Sequence, residues 1–214
     1  RWTGRESLLG RTIFVYPEQG LGDTIQFCRY LPVLSSKGAR VIFEAPPELR
    51  DVLKTLPGAI TLLQPGFPTP EFDFEIPLLS IPGALRTTLA TIPAKTPYLK
   101  AHKETVGFWR ARVNETERRR VGLVWSGGTV YRNDHNRSLS LSDMAPILNL
   151  PFEFHCLQKV LREGDLVELS NFSSLAFHGD NLHDFSDTAA LIEAMDLVIT
   201  VDTSVAHLAG ALGK

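Results

Sequence analysis

Short runs of β-branched and aromatic residues alternate along the chain with apolar stretches of helical period, and small polar turns separate the two. Thr12-Ile-Phe-Val-Tyr16 predicts a first strand. It passes through Gln19-Gly-Leu-Gly-Asp-Thr24 into a helix from Asp23 to Ser36 whose apolar positions are Ile25, Phe27, Cys28, Leu31 and Leu34. Arg40 to Glu44 reads as a second strand. Pro47 marks a helix start, where its missing N–H costs little, so Glu48 to Thr55 is expected as a short helix before a third strand at Ile60 to Leu63. From Pro65 to Pro97 the prolines are dense and the period is lost, which predicts surface loops with short elements, a strand near Phe72 to Ile76 among them, and acceptor contacts.

A helix over Thr105 to Asn114, with Val106, Phe108, Trp109 and Val113, leads into the charged connector Glu115 to Arg120. A lobe boundary near residue 117 follows, separating 1–117 from 118–214. The pattern then restarts with a strand at Val121 to Trp125, a polar Gly-rich stretch from Ser126 to Arg137, and a helix from Leu141 to Leu148 introduced by Ser140. Next come a strand at Phe152 to Leu157, a helix at Glu163 to Leu169, a weak strand at Leu175 to Phe177, a helix at Asp187 to Met195, a strand at Leu197 to Val201 and a helix at Val205 to Gly213. Strand and helix alternating in both halves predict an α/β protein with two parallel sheets. Two strand ends, one before Gly20 to Thr24 and one before Asp202 to His207, each deliver a carboxylate and helix amides to the edge where open α/β sheets bind ligands. Two such mouths, far apart in sequence, predict two lobes sharing one cleft.

Charge narrows the partners. With 22 Lys and Arg against 24 Asp and Glu the net charge is -2, so nucleic acid and membrane surfaces are not expected. No apolar run approaches the roughly 20 residues of a membrane span and the N-terminus lacks a secretory layout, which points to the cytoplasm. Cys28 and Cys156, the only cysteines, sit in apolar patterns and are expected as small core residues, with neither disulfide nor zinc site. The missing start methionine and a final helix with no following strand suggest a piece of a longer polypeptide with further α/β units beyond Lys214.

Gly20 and Gly22, with Glu44 at the end of the second strand, invite a dinucleotide reading and hence a nicotinamide-dependent oxidoreductase. The third small residue of that fingerprint is replaced by Ile25, and Asp23 would bring a negative charge to the pyrophosphate. Asp23 is read instead as a helix N-cap, as a carboxylate placed to accept a proton, or as both. Asp202-Thr-Ser-Val-Ala-His207 gathers a carboxylate, two hydroxyls and an imidazole at a strand end, a ready seat for a diphosphate contacted by Thr203, Ser204 and His207, against the plainer reading of caps and a core histidine. Ser126, Gly127, Arg132, Arg137 and Lys159 fall on the same predicted edge. There the arginines are either bidentate phosphate donors or ordinary solvated side chains.

Three segments carry a family resemblance over nearly the whole chain. They are Tyr16-Pro-Glu-Gln-Gly-Leu-Gly-Asp-Thr-Ile-Gln-Phe27, Val121-Gly-Leu-Val-Trp-Ser-Gly127 with the Arg132-Asn to Arg137-Ser tail, and Asp202-Thr-Ser-Val-Ala-His-Leu-Ala-Gly-Ala-Leu-Gly213. The chain resembles glycosyltransferase family 9, which includes the ADP-heptose:lipopolysaccharide heptosyltransferases, and bacterial proteins in which such a domain follows tetratricopeptide repeats. The resemblance implies a GT-B fold of two Rossmann-like lobes, the second truncated, and inverting glycosyl transfer from a nucleotide sugar to a glycan, lipid or protein acceptor without a metal or other cofactor. It also implies repeats upstream of Arg1. By position, Asp23 matches the acceptor-activating base, while Asp202, Thr203 and His207 match the nucleotide-sugar motif. Ser204 stands where heptosyltransferases usually carry glycine, and Arg132, Arg137 or Lys159 stands in for a lysine with no aligned counterpart. A binding module that keeps the fold without turnover is the third reading.

Overall fold

The computed structural model describes residues 1–113, 117–128 and 132–214. Asn114 at the expected helix end, the start of the connector at Glu115 and Thr116, and Tyr131 of the polar stretch lie outside the described residues. In the first half, β1 (Thr12–Tyr16), α1 (Leu21–Phe27), α2 (Leu31–Ser36), β2 (Arg40–Glu44), α3 (Arg50–Leu53), β3 (Ile60–Leu63), β4 (Phe74–Pro77), α4 (Ile81–Ala84) and α5 (Lys103–Arg112) follow one another. The second half supplies β5 (Arg120–Val124), α6 (Ala145–Leu148), β6 (Glu153–Cys156), α7 (Glu163–Glu168), β7 (Leu175–Phe177), α8 (Phe185–Glu193), β8 (Leu197–Thr200) and α9 (Ser204–Leu212). The strands form two parallel sheets with the same plan, β3-β2-β1-β4 and β7-β6-β5-β8. The fold is therefore the expected α/β arrangement, with the first strand of each half in its sheet's interior.

Prolines account for most departures from the expected helices. The single helix from Asp23 to Ser36 is split into α1 and α2 by a 3₁₀ turn at Cys28–Tyr30. Pro32 has no N–H to offer the carbonyl of Cys28, and its ring crowds the preceding turn, so the Leu31 N–H takes that carbonyl in a tighter bond. Pro47 and Pro146 likewise stand at short helical openings, and α3 and α6 are one turn each. The strand expected at Phe72 begins at Phe74 and pairs with β1 in the register Ile13 to Phe74. It is a core element, because Ile76, Leu78 and Ile81 are buried. The rest of 65–97 is largely exposed.

The apolar core does not stop between the sheets. One face of the second sheet packs Val121, Leu123, Trp125, Phe154 and Cys156 against Leu141, Met144 and Leu148. Its other face, through Val124 and Leu157, joins α8 and α9 in a cluster that is continuous with the core of the first half. Across that cluster α1 lies against α9, while α3 and α5 lie against α8. Trp109 of α5, fully buried, fills the seam. Each such side chain removed from water contributes about 1.5–3 kcal/mol, so the shared helices hold the two sheets at a fixed spacing.

Beneath α5, His155 of β6 and His178 stack at 15° with ring centroids 5.3 Å apart, and Nδ1 of His155 lies 3.0 Å from Nε2 of His178. Burial, with Arg120 nearby, pulls His155 down to about 4 from the ordinary 6.5. Burial, His155 and Arg112 do the same to His178. Arg112, Arg118 and Glu153 line the cavity these rings face. Because the folded values lie below the unfolded ones, the unfolded chain takes up protons first. Stability is complete above about 6.5 and falls as the pH drops toward about 4. Urea unfolding across that window should show a fall of a few kcal/mol, and a His155→Gln/His178→Gln double variant should flatten it. An equally steep fall in the double variant would assign the dependence to other groups.

Candidate functional site

Asp23 is not the N-cap of its helix. Gly20 takes that position, and Asp23, in the first turn, reaches back so that its Oδ2 accepts the Gly20 N–H at 3.1 Å. The Thr24 hydroxyl donates to the Gly20 carbonyl at 3.2 Å, closing the same turn. One carboxylate oxygen is thus fixed to the backbone, while the half-buried side chain lines the space between the halves.

The start of α9 is built differently. Thr203 caps it in an extended conformation, but among the described residues no side chain accepts from its first amides. The Thr203 hydroxyl instead lies 3.3 Å from that of Thr200. The N–H groups of Ala206 and His207 both reach the Thr203 carbonyl, which leaves the amides of Ser204 and Val205 outside the helical ladder. By contrast, α8 is closed by its own Asp184, which accepts from Ser186 and Asp187 at 2.7 and 3.3 Å. Of these two helix starts, α9 is the one able to receive an anion.

Gly22 joins the two motifs. A methyl at its α-carbon would lie 2.8 Å from Cδ2 of His207 and 3.4 Å from the α-carbon of Ser204, so the bare backbone of α1 is what lets α9 approach. A cavity of about 580 Å³ opens at this contact, lined by Gly20, Gly22 and Asp23 from one side and by Gly128, Arg137, Asp202, Thr203, Ser204 and His207 from the other. A second cavity of about 240 Å³ shares Gly128, Thr203 and Ser204 with it and continues over β5 and β6 past Ser126, Gly127 and Lys159. Glu48, from the first half, also borders it. No residue of 65–97 lines either cavity, so the stretch expected to meet an acceptor lies elsewhere.

Several expected ligand groups are already engaged. The buried Ser126 hydroxyl accepts from Gln158 Nε2 at 3.0 Å, and Gln158 Oε1 accepts the amides of Trp125 and Ser126 at 2.8 and 3.2 Å. Lys159 Nζ donates to the His183 carbonyl at 2.7 Å, and the exposed Arg132 lines neither cavity. Arg137 donates through Nε to Asp134 Oδ1 at 3.0 Å and through NH1 to the Asp202 carbonyl at 2.7 Å. Asp134 also accepts from Ser138 at 3.0 Å and from Arg162. Burial would raise the Asp134 pKa, but the Arg137 and Ser138 bonds and the Arg162 and Arg137 charges hold it below the usual carboxylate range.

Sequence reasoning missed Arg162, Gln158 and Glu48 and the central place of Asp134. Of these, only the Asp134 and Arg137 pair, three residues apart, left a local signal. Cys28 and Cys156 are buried as expected. Burial pushes the Cys28 thiol up strongly and that of Cys156 to about 12. Among the described residues no three His, Cys, Asp or Glu side chains group as metal ligands, and no helix is long and apolar enough to cross a membrane.

No family model matches the chain. Over 240 residues it is 25% identical to protein FlbA of Caulobacter vibrioides; the match takes in all of this chain and 40% of FlbA, so the chain spans two fifths of that relative's length. A family 9 glycosyltransferase from Veillonella parvula superposes on it with a TM-score of 0.69 at 12% identity, covering 98% of this chain and 80% of that one. TibC, an iron-containing dodecameric glycosyltransferase from enterotoxigenic Escherichia coli, gives 0.63 at 12% identity, covering 96% and 57%. The Escherichia coli ADP-heptose lipopolysaccharide heptosyltransferase II gives 0.53 at 13%, covering 95% and 82%. At these identities the likeness is one of fold. The class is GT-B, two Rossmann-like parallel-sheet lobes facing one another.

Gly22→Ala tests the contact that joins the motifs. In an open helix the change stabilises by up to about 1 kcal/mol, whereas a methyl forced against Ser204 and His207 costs about 1–3 kcal/mol. Urea unfolding should show net destabilisation, and a more stable variant would mean that α9 yields to the methyl without cost.

Proposed function

We propose that this chain carries out inverting glycosyl transfer from a nucleotide-diphosphate sugar to an acceptor hydroxyl. The observation that carries the reading is that Asp23 of one lobe and the open start of α9 in the other border a single cavity. The donor diphosphate lies against the Ser204 and Val205 amides and His207, with the nucleoside extending into the smaller cavity between Lys159 and Glu48. Asp202, a carboxylate at the rim, faces donor hydroxyls rather than phosphate oxygens. The Asp23 oxygen not fixed to Gly20 takes the acceptor proton as the acceptor oxygen attacks the anomeric carbon. The bond from that carbon to the diphosphate breaks on the opposite face, and its electron pair leaves with the phosphate, where the helix amides stabilise it. None of these steps is routed through a metal.

The nicotinamide alternative finds no support at the glycines. The α-carbon of Gly22 faces His207 and Ser204, and the Gly20 N–H is taken by Asp23, where a dinucleotide would need both free for its pyrophosphate. Asp23→Asn should lower turnover about 10²- to 10⁴-fold while leaving nucleoside diphosphate binding within about twofold, read by product release over a panel of nucleotide sugars and by calorimetry. Turnover at the wild-type rate would remove Asp23 from the role of base.

A further inference from the structure

We propose that Asp134 is the positioning residue on which the phosphate end of the cleft is built; this rests on the donor site described above and extends it to a residue that touches no substrate. Asp134 is only 6% exposed, and three donors converge on it, Arg137 Nε and Ser138 Oγ from its own turn and the Arg162 guanidinium from 28 residues away. A buried carboxylate so surrounded stays ionised, and an ionised acceptor fixes the plane of a guanidinium far more tightly than solvent does. The fixed plane has a use. With Nε committed to Asp134, the NH1 of Arg137 is aimed at the carbonyl of Asp202, the residue just before the cap of α9. The loop after β5 is thereby latched to the turn after β8, and both border the larger cavity.

Gly127 is the seat of this latch. A methyl on it would lie 2.5 Å from Arg137 NH2 and 2.5 Å from Asp134 Oδ1, so the ion pair rests directly on bare backbone. Its N–H donates to the Ser138 hydroxyl at 2.9 Å, and Arg162 reaches Ser138 at 2.9 Å from the other side. Arg137 brings a guanidinium to the cavity that Asp23 and Asp202 also line, and Asp134 sets where Arg137 presents its charge to the departing diphosphate. The role expected of Arg137 thus divides. It faces the cleft, but it is also the arm that holds the mouth of α9 open at one width.

The test compares the wild type with Asp134→Asn and Ser138→Ala by calorimetry against ADP, GDP, UDP and CDP and against the matching nucleosides. Asp134→Asn should weaken the best-bound diphosphate about tenfold or more and its nucleoside less than about twofold, because the loss is confined to the phosphate end. Ser138→Ala, a milder change that spares the charges, should give a smaller loss with the same asymmetry. Equal weakening of nucleoside and diphosphate would mean a general loss of structure, and unchanged binding in both variants would mean that Asp134 positions nothing; either result overturns the proposal and leaves the transferase reading standing. A wild type that binds none of the four diphosphates would overturn both.

Discussion

The bare backbone of Gly22 permits a close contact between the halves at the head of α9, and much of the site follows from it. Because Gly22 carries no side chain, the first turn of α1 can settle against Ser204 and His207 at the head of α9. Helices α8 and α9 belong to the second sheet by chain order, yet they are buried in a core continuous with the first. The two strand-end motifs are therefore held face to face by apolar packing, and their polar groups are free to be arranged for chemistry.

That arrangement is uneven in an instructive way. At the heads of α1 and α8 a helix's own residues accept the leading amides or reach back to the cap, through Asp23 and Asp184. Ser140 and Asp143 do the same for the turn before α6, with Ser140 N–H to Asp143 at 2.8 Å and Asp143 N–H to Ser140 at 3.3 Å. Among the described residues no side chain closes the head of α9, which faces the closed head of α1 across the shared cavity. An uncompensated helix start beside an arginine is an anion seat whose energy is unspent until a ligand arrives.

What was legible in the sequence was local. Strands such as Thr12 to Tyr16, Arg40 to Glu44 and Leu175 to Phe177 match their observed bounds, because a β-branched run between turn residues carries its own period. The motif residues Asp23, Thr203, Ser204 and His207 fall together because each sheet delivers its motif at a strand end and α1 packs on α9, which turns the two ends toward one cavity. What was not legible depends on partners distant in the chain. Arg162 meets Asp134 from 28 residues away, and Gln158 caps the end of β5 from 32 and 33. The place of Asp23 in its helix was misjudged for a local reason: Gly20 can cap, and a carboxylate three residues on closes the turn as well as one at the cap itself. The split of the first helix at Pro32 was readable in principle, and the apolar stripe hid it.

A crystal structure of the protein with a bound nucleoside diphosphate tests the central claim most directly. Phosphate oxygens about 3 Å from the amides of Ser204 and Val205, in the cavity bordered by Asp23, are the result this account requires. A diphosphate seated on Gly20 to Gly22 at the head of α1, or one bound with Asp23 outside the ligand's cavity, would contradict it.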